Sequence, residues 1–544
     1  MDLNNIKRNQ LDYILTDMLP TELSERFTFF YFYEFLMTKR KELKQMNNFL
    51  ISVKNKYKTG VMFEGGGSGH GGHKGNNWVT MPLKYSIMKE LHTEREISLL
   101  QPIAAVELFA FVSIYQKELI NLLDMNSIFS LRHHHKNNEL CYKNKNKSIT
   151  KYFAVESAQI DKDLIEKTGM FFDIKPYKSI ASFTSSEEWL VLNSKYRYFI
   201  RTDYKACFDS IYTHTFKWLI GKDVNDTKDF KNTNIYTTID RILQNINART
   251  SNGIVVGPEF SRMIAEILLQ AIDRTVYSKL LNSGKAVGEN YNVYRFVDDI
   301  FIFAESEELA NEIVQIYSEI SAKYLLRLNE GKLYKNTVPF VLDEWINETS
   351  IFANRTSTCL FRTKEEQEIW LQKEKQNSPE KEVVPHILKS RALYYSKRSI
   401  MNQLNELICE YPSKDRTIVA YFLGTILNKV SRNKENVKIF SEHVTEQTVA
   451  NFMDLIFYAY SFFPNYNNTQ RFLSIVSYIR DEYDIFTSSE QLQKLVNKYA
   501  FIFDKANLND IINLVLFCAH AKIEIPYRQE QMIVCKLREK DDPI

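Results

Sequence analysis

The chain has 544 residues, 44% hydrophobic and 25% charged, a balance that excludes an intrinsically disordered protein and points to folded domains. Its net charge of +3 excludes a globally basic nucleic-acid binder, so any phosphate-binding surface must be local. The six cysteines form no C-x-x-C pair, which argues against a zinc site and a disulfide scaffold and predicts a reducing, cytoplasmic setting.

The length predicts more than one domain. The amino terminus, MDLNNIKRNQLDYIL, lacks an apolar signal core, and no apolar run reaches the roughly 18 residues of a membrane span. Residues 1 to about 60 carry apolar side chains at helical spacing, as in Leu23, Phe27, Tyr31 and Phe35. Residues 64–77, EGGGSGHGGHKGNN, hold seven of the sixteen glycines and predict a pliable loop; His70 and His73 have no acidic or cysteine neighbours to complete a metal site. In MPLKYSIMKELHTEREISLLQP, residues 81–102, Arg95 with Lys84 or Lys89 suits a polyanion held by charge-assisted hydrogen bonds. A surface salt bridge of Arg95 with Glu94 or Glu96 is the alternative. A helix is predicted over about 104–123. Residues 129–148, FSLRHHHKNNELCYKNKNKS, are the most basic stretch, equally consistent with a backbone-contact surface for nucleic acid and with a solvated loop.

Residues 198–212, YFIRTDYKACFDSIY, read as a short strand ending at Asp203, followed by Ala206 and Phe208. Residues 253–269, GIVVGPEFSRMIAEILL, read as a glycine turn and an amphipathic helix. In residues 294–303, YRFVDDIFIF, two strand-like runs flank Asp298 and Asp299, which predicts a hairpin with the acids at its tight turn. Two adjacent carboxylates there need a cation, and a divalent metal is the simplest one. Asp203 and Asp298 are ninety-five residues apart, so only folding brings them together. A helix is predicted over about 307–324; Lys332 follows in a turn, and residues 340–361 read as short strands.

Beyond TKEEQEIWLQKEKQNSPEKE the periodicity is helical throughout, over 387–395, 418–430, 449–463, 472–483, 492–503 and 511–520. Punctuation at roughly 30 to 40 residues is that of helix-pair repeats. The expected division is 1–375 and 376–544.

Acid at a strand end, glycine turn with helix, then an acid pair on a hairpin is the order of motifs A, B and C in a polymerase palm. Phe296-Val297-Asp298-Asp299, preceded by Arg295, resembles the signature of intron- and retron-type reverse transcriptases. With GIVVGPEFSRMIAEI, DSIYTH and a helical carboxy-terminal region, the chain resembles the abortive-infection branch of bacterial defence-associated reverse transcriptases. The resemblance implies an α+β fold of fingers and palm, followed by an all-α, HEAT-like helical-repeat domain. It implies catalysis by Asp203, Asp298 and Asp299, with two Mg²⁺ ions (or Mn²⁺) held by Asp203, Asp298 and the Tyr204 carbonyl. It implies a dNTP held by Arg95, Lys84, Phe208, Gly257 and Lys332. In that scheme Arg95 contacts the triphosphate, Phe208 clashes with a 2′-hydroxyl, and Gly257 lets the backbone approach nucleotide and template base. Lys332 then protonates pyrophosphate. Val256 stands where most such enzymes carry glutamine, which weakens the case for ordinary templated copying. The implied biology is antiphage defence by a trimer or hexamer whose DNA synthesis can be untemplated and primed from a protein hydroxyl, leaving the DNA covalently attached. Tyr13, Tyr31 and Tyr33 are bare candidates for that hydroxyl. Other branches use a non-coding RNA as template, and a retired, nucleic-acid-binding scaffold is the remaining alternative.

Overall fold

The computed structural model describes residues 10–20, 22–23, 27–38, 79–90, 93–124, 128–136, 170–220, 234–340, 344–377, 384–431, 437–483 and 490–538. The glycine-rich segment 64–77 and the basic residues after Lys136, up to 148, lie outside the described residues.

Strands β1 (Leu83–Glu90) and β2 (Thr93–Leu99) form an antiparallel hairpin. Helix α1 (Pro102–Asp124) follows and lies in the core, as its apolar composition predicts. Strands β3 (Arg132–Lys136) and β4 (Phe172–Pro176) make a second two-stranded ladder. The three consecutive histidines alternate across it as a strand requires: His134 is buried, while His133 and His135 stack on the opposite face with ring centroids 6.3 Å apart.

The sheet that matters is four-stranded and antiparallel. Helix α2 (Glu187–Lys195) leads into β5 (Tyr198–Asp203). Helices α3 (Ile235–Asn245) and α4 (Glu259–Asn282) precede β6 (Tyr291–Phe296) and β7 (Asp299–Ala304); α5 (Glu307–Lys323) and β8 (Tyr334–Thr337) complete the unit. The strand order is β6-β7-β5-β8. Period-two alternation sends Ile200, Val293, Ile300 and Ile302 into the main core with α1, α4 and α5. The other face, with Phe199, Phe301 and Phe303, packs on Trp189, Leu192 and Phe183. Both faces of β5 and β7 are therefore covered, which is why these strands read as nearly unbroken apolar runs.

The short strands expected over 340–361 are not there. Residues Glu344–Leu360 form a helix, α6, because Thr349, Phe352, Ala353, Thr356, Ser357 and Leu360 recur at the three-and-four spacing of a buried helical face. Helices α7 (Lys364–Asn377), α8 (Ser390–Glu410), α9 (Asp415–Ser431), α10 (Glu446–Phe462), α11 (Tyr466–Glu482), α12 (Glu490–Lys498), α13 (Leu508–His520) and α14 (Tyr527–Arg538) complete the chain. Apart from α7, these helices share with α6 a second core that begins at Phe352. Helix α8 packs on α6 and α10, and α10 on α12; α9 packs on α11, and α11 on α13.

This helical half returns to the start of the chain. Met88 of β1 packs against the second core. The Arg416 guanidinium donates to the Lys89 carbonyl at 3.3 Å, and the Asn509 amide donates to the Glu22 carbonyl at 2.9 Å.

Candidate active site

The predicted acid hairpin forms with its acids at a two-residue turn, Val297-Asp298, and Asp299 opens β7. Val297 is held at φ +56°, a left-handed conformation that strains a β-branched residue. The register places Asp203 directly opposite Asp299, the arrangement that brings cross-strand Cβ atoms to about 5 Å. The Tyr204 amide donates to the Asp298 carbonyl at 3.2 Å, tying the turn to the end of β5. The three aspartates thus meet, across the ninety-five residues that separate them.

Their environments differ. Asp203 is buried; its Oδ2 accepts from Lys332 Nζ at 2.5 Å, and its Oδ1 has no hydrogen-bond partner among the described residues. A buried, orphaned carboxylate oxygen calls for a cation. Asp298 is half-buried, and burial, with Asp299 and Asp203 beside it, pushes its carboxyl up to about 6. Asp299 instead accepts from Arg201, at 3.0 Å from Nη2. The hydrogen bond to Asp203 raises the Lys332 ammonium pKa, so Lys332 already serves as a neutralising cation. Among the described residues no three His, Cys, Asp or Glu side chains form a metal cage. A Mg²⁺-type site takes one or two carboxylates and leaves the rest of its shell to water and phosphate oxygens. Asp203, Asp298 and the Tyr204 carbonyl therefore fit a divalent ion, with Asp299 turned aside to Arg201.

Of the nucleotide-binding candidates, Arg95 is exposed on β2 and its charge is felt at Asp298, lowering that carboxyl against the larger upward influences. Lys84 is paired with Ser98 and so lies on the opposite face of the hairpin from Arg95, where it bridges Glu96 at 2.7 Å. The hairpin register thus separates Lys84 from Arg95, whose charge reaches Asp298. Phe208 is half-buried, packs against the main core, and accepts a backbone hydrogen bond from Ile254 at 2.9 Å, linking the first acid motif to the glycine turn.

Gly257 differs from expectation. It sits at φ +125°, and a Cβ there would lie 2.7 Å from Ile97 Cγ2 and 2.8 Å from Pro20 Cγ. The close approach at this glycine is made by the protein's own β2 and amino-terminal segment. The same segment accepts at Asp17 from the Phe260 amide at 3.2 Å, and Val256 accepts from the Ser98 amide at 2.8 Å. Of the tyrosines singled out, Tyr13 and Tyr33 are buried, and Tyr31 is exposed.

Two groups were not anticipated. Arg295, fully buried, donates four hydrogen bonds, from Nε to Asp273, from Nη1 and Nη2 to Glu266, and from Nη1 to the Val297 carbonyl at 2.8 Å, and its Nη2 also lies 2.7 Å from Asp273 as an ion pair. Ser130 donates to Glu266 and Tyr317 to Asp273. Burial alone would raise both carboxyls; Arg295 outweighs it for Glu266, which is lowered, but not for Asp273, which stays raised. Arg295 thereby fastens the acid turn to α4. Arg262, one helical turn into α4, donates to Glu259 at 2.9 Å, and Arg132 also bonds Glu259. Burial would raise the Glu259 carboxyl, but these two cations hold it down at about 2.

A palm sheet with a carboxylate-bearing hairpin facing a strand-end aspartate is the site of a nucleotidyltransferase. Residues 137–351 match the reverse transcriptase (RNA-dependent DNA polymerase) family. The chain therefore carries a reverse transcriptase domain, the module of an RNA-directed DNA polymerase. No curated protein matches the sequence. Among solved structures, telomerase from Candida albicans in complex with a TWJ fragment of telomeric RNA is 10% identical at a TM-score of 0.28, covering 78% of this chain and 65% of that one. Apo telomerase from Candida tropicalis is 11% identical at a TM-score of 0.29, covering 83% and 71%. Likeness at this level decides neither fold nor function.

Proposed function

We propose that the chain is a reverse transcriptase-like DNA polymerase that adds dNTPs by two-metal nucleotidyl transfer, untemplated and primed from a protein hydroxyl, in antiphage defence by abortive infection. The observation that carries the chemistry is Asp203 set against the acid hairpin with one buried oxygen unbonded and the other on Lys332. Asp203, Asp298 and the Tyr204 carbonyl hold Mg²⁺, or Mn²⁺, which when bound lowers the pKa of the attacking hydroxyl and stabilises the leaving pyrophosphate. Arg95 orients the triphosphate. Lys332 gives its Nζ proton to the departing pyrophosphate. Phe208 excludes a 2′-hydroxyl, and Asp299 keeps the hairpin seated through Arg201.

Two features support untemplated synthesis. Val256 offers no side-chain amide, and the space over Gly257 is filled by Ile97 and Pro20. Tyr31 is the exposed candidate for the priming hydroxyl. The alternate stacking of α6, α8, α10 and α12, and of α9, α11 and α13, supports reading the carboxy-terminal half as a HEAT-like helical repeat. Among the described residues no helix is long and apolar enough to cross a membrane. We further propose a cytoplasmic homo-oligomer, a trimer or hexamer.

The test is incubation of purified protein with each dNTP, before and after nuclease treatment, with Asp203→Asn as control. Protein-linked DNA from nuclease-treated enzyme supports the proposal. Product that vanishes with RNase would replace it by synthesis on a non-coding RNA, and incorporation surviving in Asp203→Asn would reduce the palm to a scaffold.

A further inference from the structure

Helix α8 carries a surface that the palm chemistry does not explain. Its inner face, Leu393, Ile400 and Leu404, is buried in the second core, and Lys397 reaches Asp454 at 2.9 Å. The outer face presents Arg391, Tyr394, Tyr395 and Arg398, spaced i, i+3, i+4 and i+7, and continues into Asn402 and Asn405; all six are exposed. Tyr394 is 73% and Tyr395 71% accessible, and their rings meet edge to face with centroids 5.3 Å apart. From Ser390 to Asn405 the helix contains no carboxylate, the first being Glu406. Neither Arg391 nor Arg398 has an ion-pair partner among the described residues.

Two adjacent aromatic rings left this open, with an unneutralised guanidinium one turn to either side, match one ligand chemistry. Bases stack on tyrosine faces, and arginines take phosphate oxygens by forked hydrogen bonds. The face extends for about 20 Å at the helical rise of 1.5 Å per residue, room for several nucleotides.

We propose that this face of α8 binds single-stranded DNA, holding the strand made in the palm. The identity of the strand rests on the function proposed above, whereas the binding itself does not. The test uses the full chain and anisotropy of a short, mixed-sequence, labelled oligodeoxynucleotide, titrated over a range of salt. Replacing both rings, Tyr394→Ala/Tyr395→Ala, should weaken binding at least tenfold, given about one base stacked per ring. Arg391→Gln/Arg398→Gln should weaken it and flatten the slope of log K against log salt by about 1.4, from roughly 0.7 per phosphate contact on single strands. Both pairs are exposed, so circular dichroism should be unchanged.

Wild-type affinity in the double tyrosine variant overturns the proposal. So does a tyrosine variant that changes oligomeric state on gel filtration while binding the oligonucleotide normally, which would make the face a contact between copies. A tenfold preference for an oligoribonucleotide of the same sequence overturns the assignment to DNA. Asp203→Asn separates the two readings, because it should lose incorporation and keep the anisotropy signal.

Discussion

Arg295 offers the sharpest test of how the acid hairpin is positioned. Arg295→Met removes the guanidinium and leaves Glu266 and Asp273 buried without it. Deleting one partner of a buried ion pair costs about 3–5 kcal/mol, a large part of the 5–15 kcal/mol by which domains are stable. At about 2–4 °C per kcal/mol for a unit of this size, the melting midpoint should fall by on the order of 10 °C. Activity should suffer separately. The Nη1 bond to the Val297 carbonyl holds a turn whose left-handed valine stores roughly 1–3 kcal/mol of strain. Once released, the turn can relax, and a displacement of about 1 Å at a reacting centre is worth roughly 10²-fold in rate. A triple variant, Arg295→Met/Glu266→Gln/Asp273→Asn, separates the effects, because it removes the stranded charges but not the slack in the turn. Calorimetry should show stability largely restored, and single-turnover dNTP incorporation, measured where both proteins are folded, should stay low. Wild-type incorporation by the triple variant, or an unshifted midpoint in the single one, would refute the reasoning.

Asp203→Asn should abolish incorporation, whereas Asp299→Asn, which weakens the bond to Arg201 and removes a charge beside Asp298, should lose about 10–100-fold, the scale of a supporting partner to a metal ligand; equal losses in the two would place Asp299 on the metal. Phe208→Ala should reduce discrimination against rNTPs by on the order of 10²-fold, read from competing incorporation of dNTP and rNTP, and unchanged selectivity would assign Phe208 to the core alone. In the helical half, burial pushes the Asp510 carboxyl up to about 7 against the hydrogen bond it accepts from Thr469. A folded pKa above the unfolded one means that stability is complete below about pH 4, falls as pH rises to about 7, and is level beyond. Asp510→Asn keeps the Thr469 bond and should therefore gain on wild type between pH 4 and 7, by an upper figure of roughly 4 kcal/mol. Urea unfolding at intervals across that range checks it, and a constant difference would contradict it.

The acid hairpin was legible because its chemistry is local: alternating aromatics, a two-residue turn and two acids that no buried strand pair holds without a cation. Arg295 was half legible. Alternation put it on the same face as Tyr291 and Val293, which are core residues, but its partners lie on another element. Their one signal was the seven-residue spacing of Glu266 and Asp273, which places two acids on one side of an amphipathic helix. Helix α6 was misread because aromatic and β-branched side chains suggest strands, although the spacing of its buried residues is helical. The separation of Lys84 from Arg95 was illegible for a different reason. A hairpin's register decides which face each residue takes, and a one-residue offset separates Lys84 from Arg95. The packing over Gly257 could not be read at all, since Ile97 and Pro20 reach it from distant parts of the chain.

The grip of the carboxy-terminal helices on β1 has a mechanical corollary. Arg95 lies across the ladder from Ile87, next to Met88 and Lys89, which are seated in the helical half and bonded to it. A finger pinned near its tip cannot curl by itself. If it bends toward a nucleotide, more than a hundred residues must swing with it or let go, so the tempo of the clasp proposed for Arg95 is set by a body far heavier than the clasp.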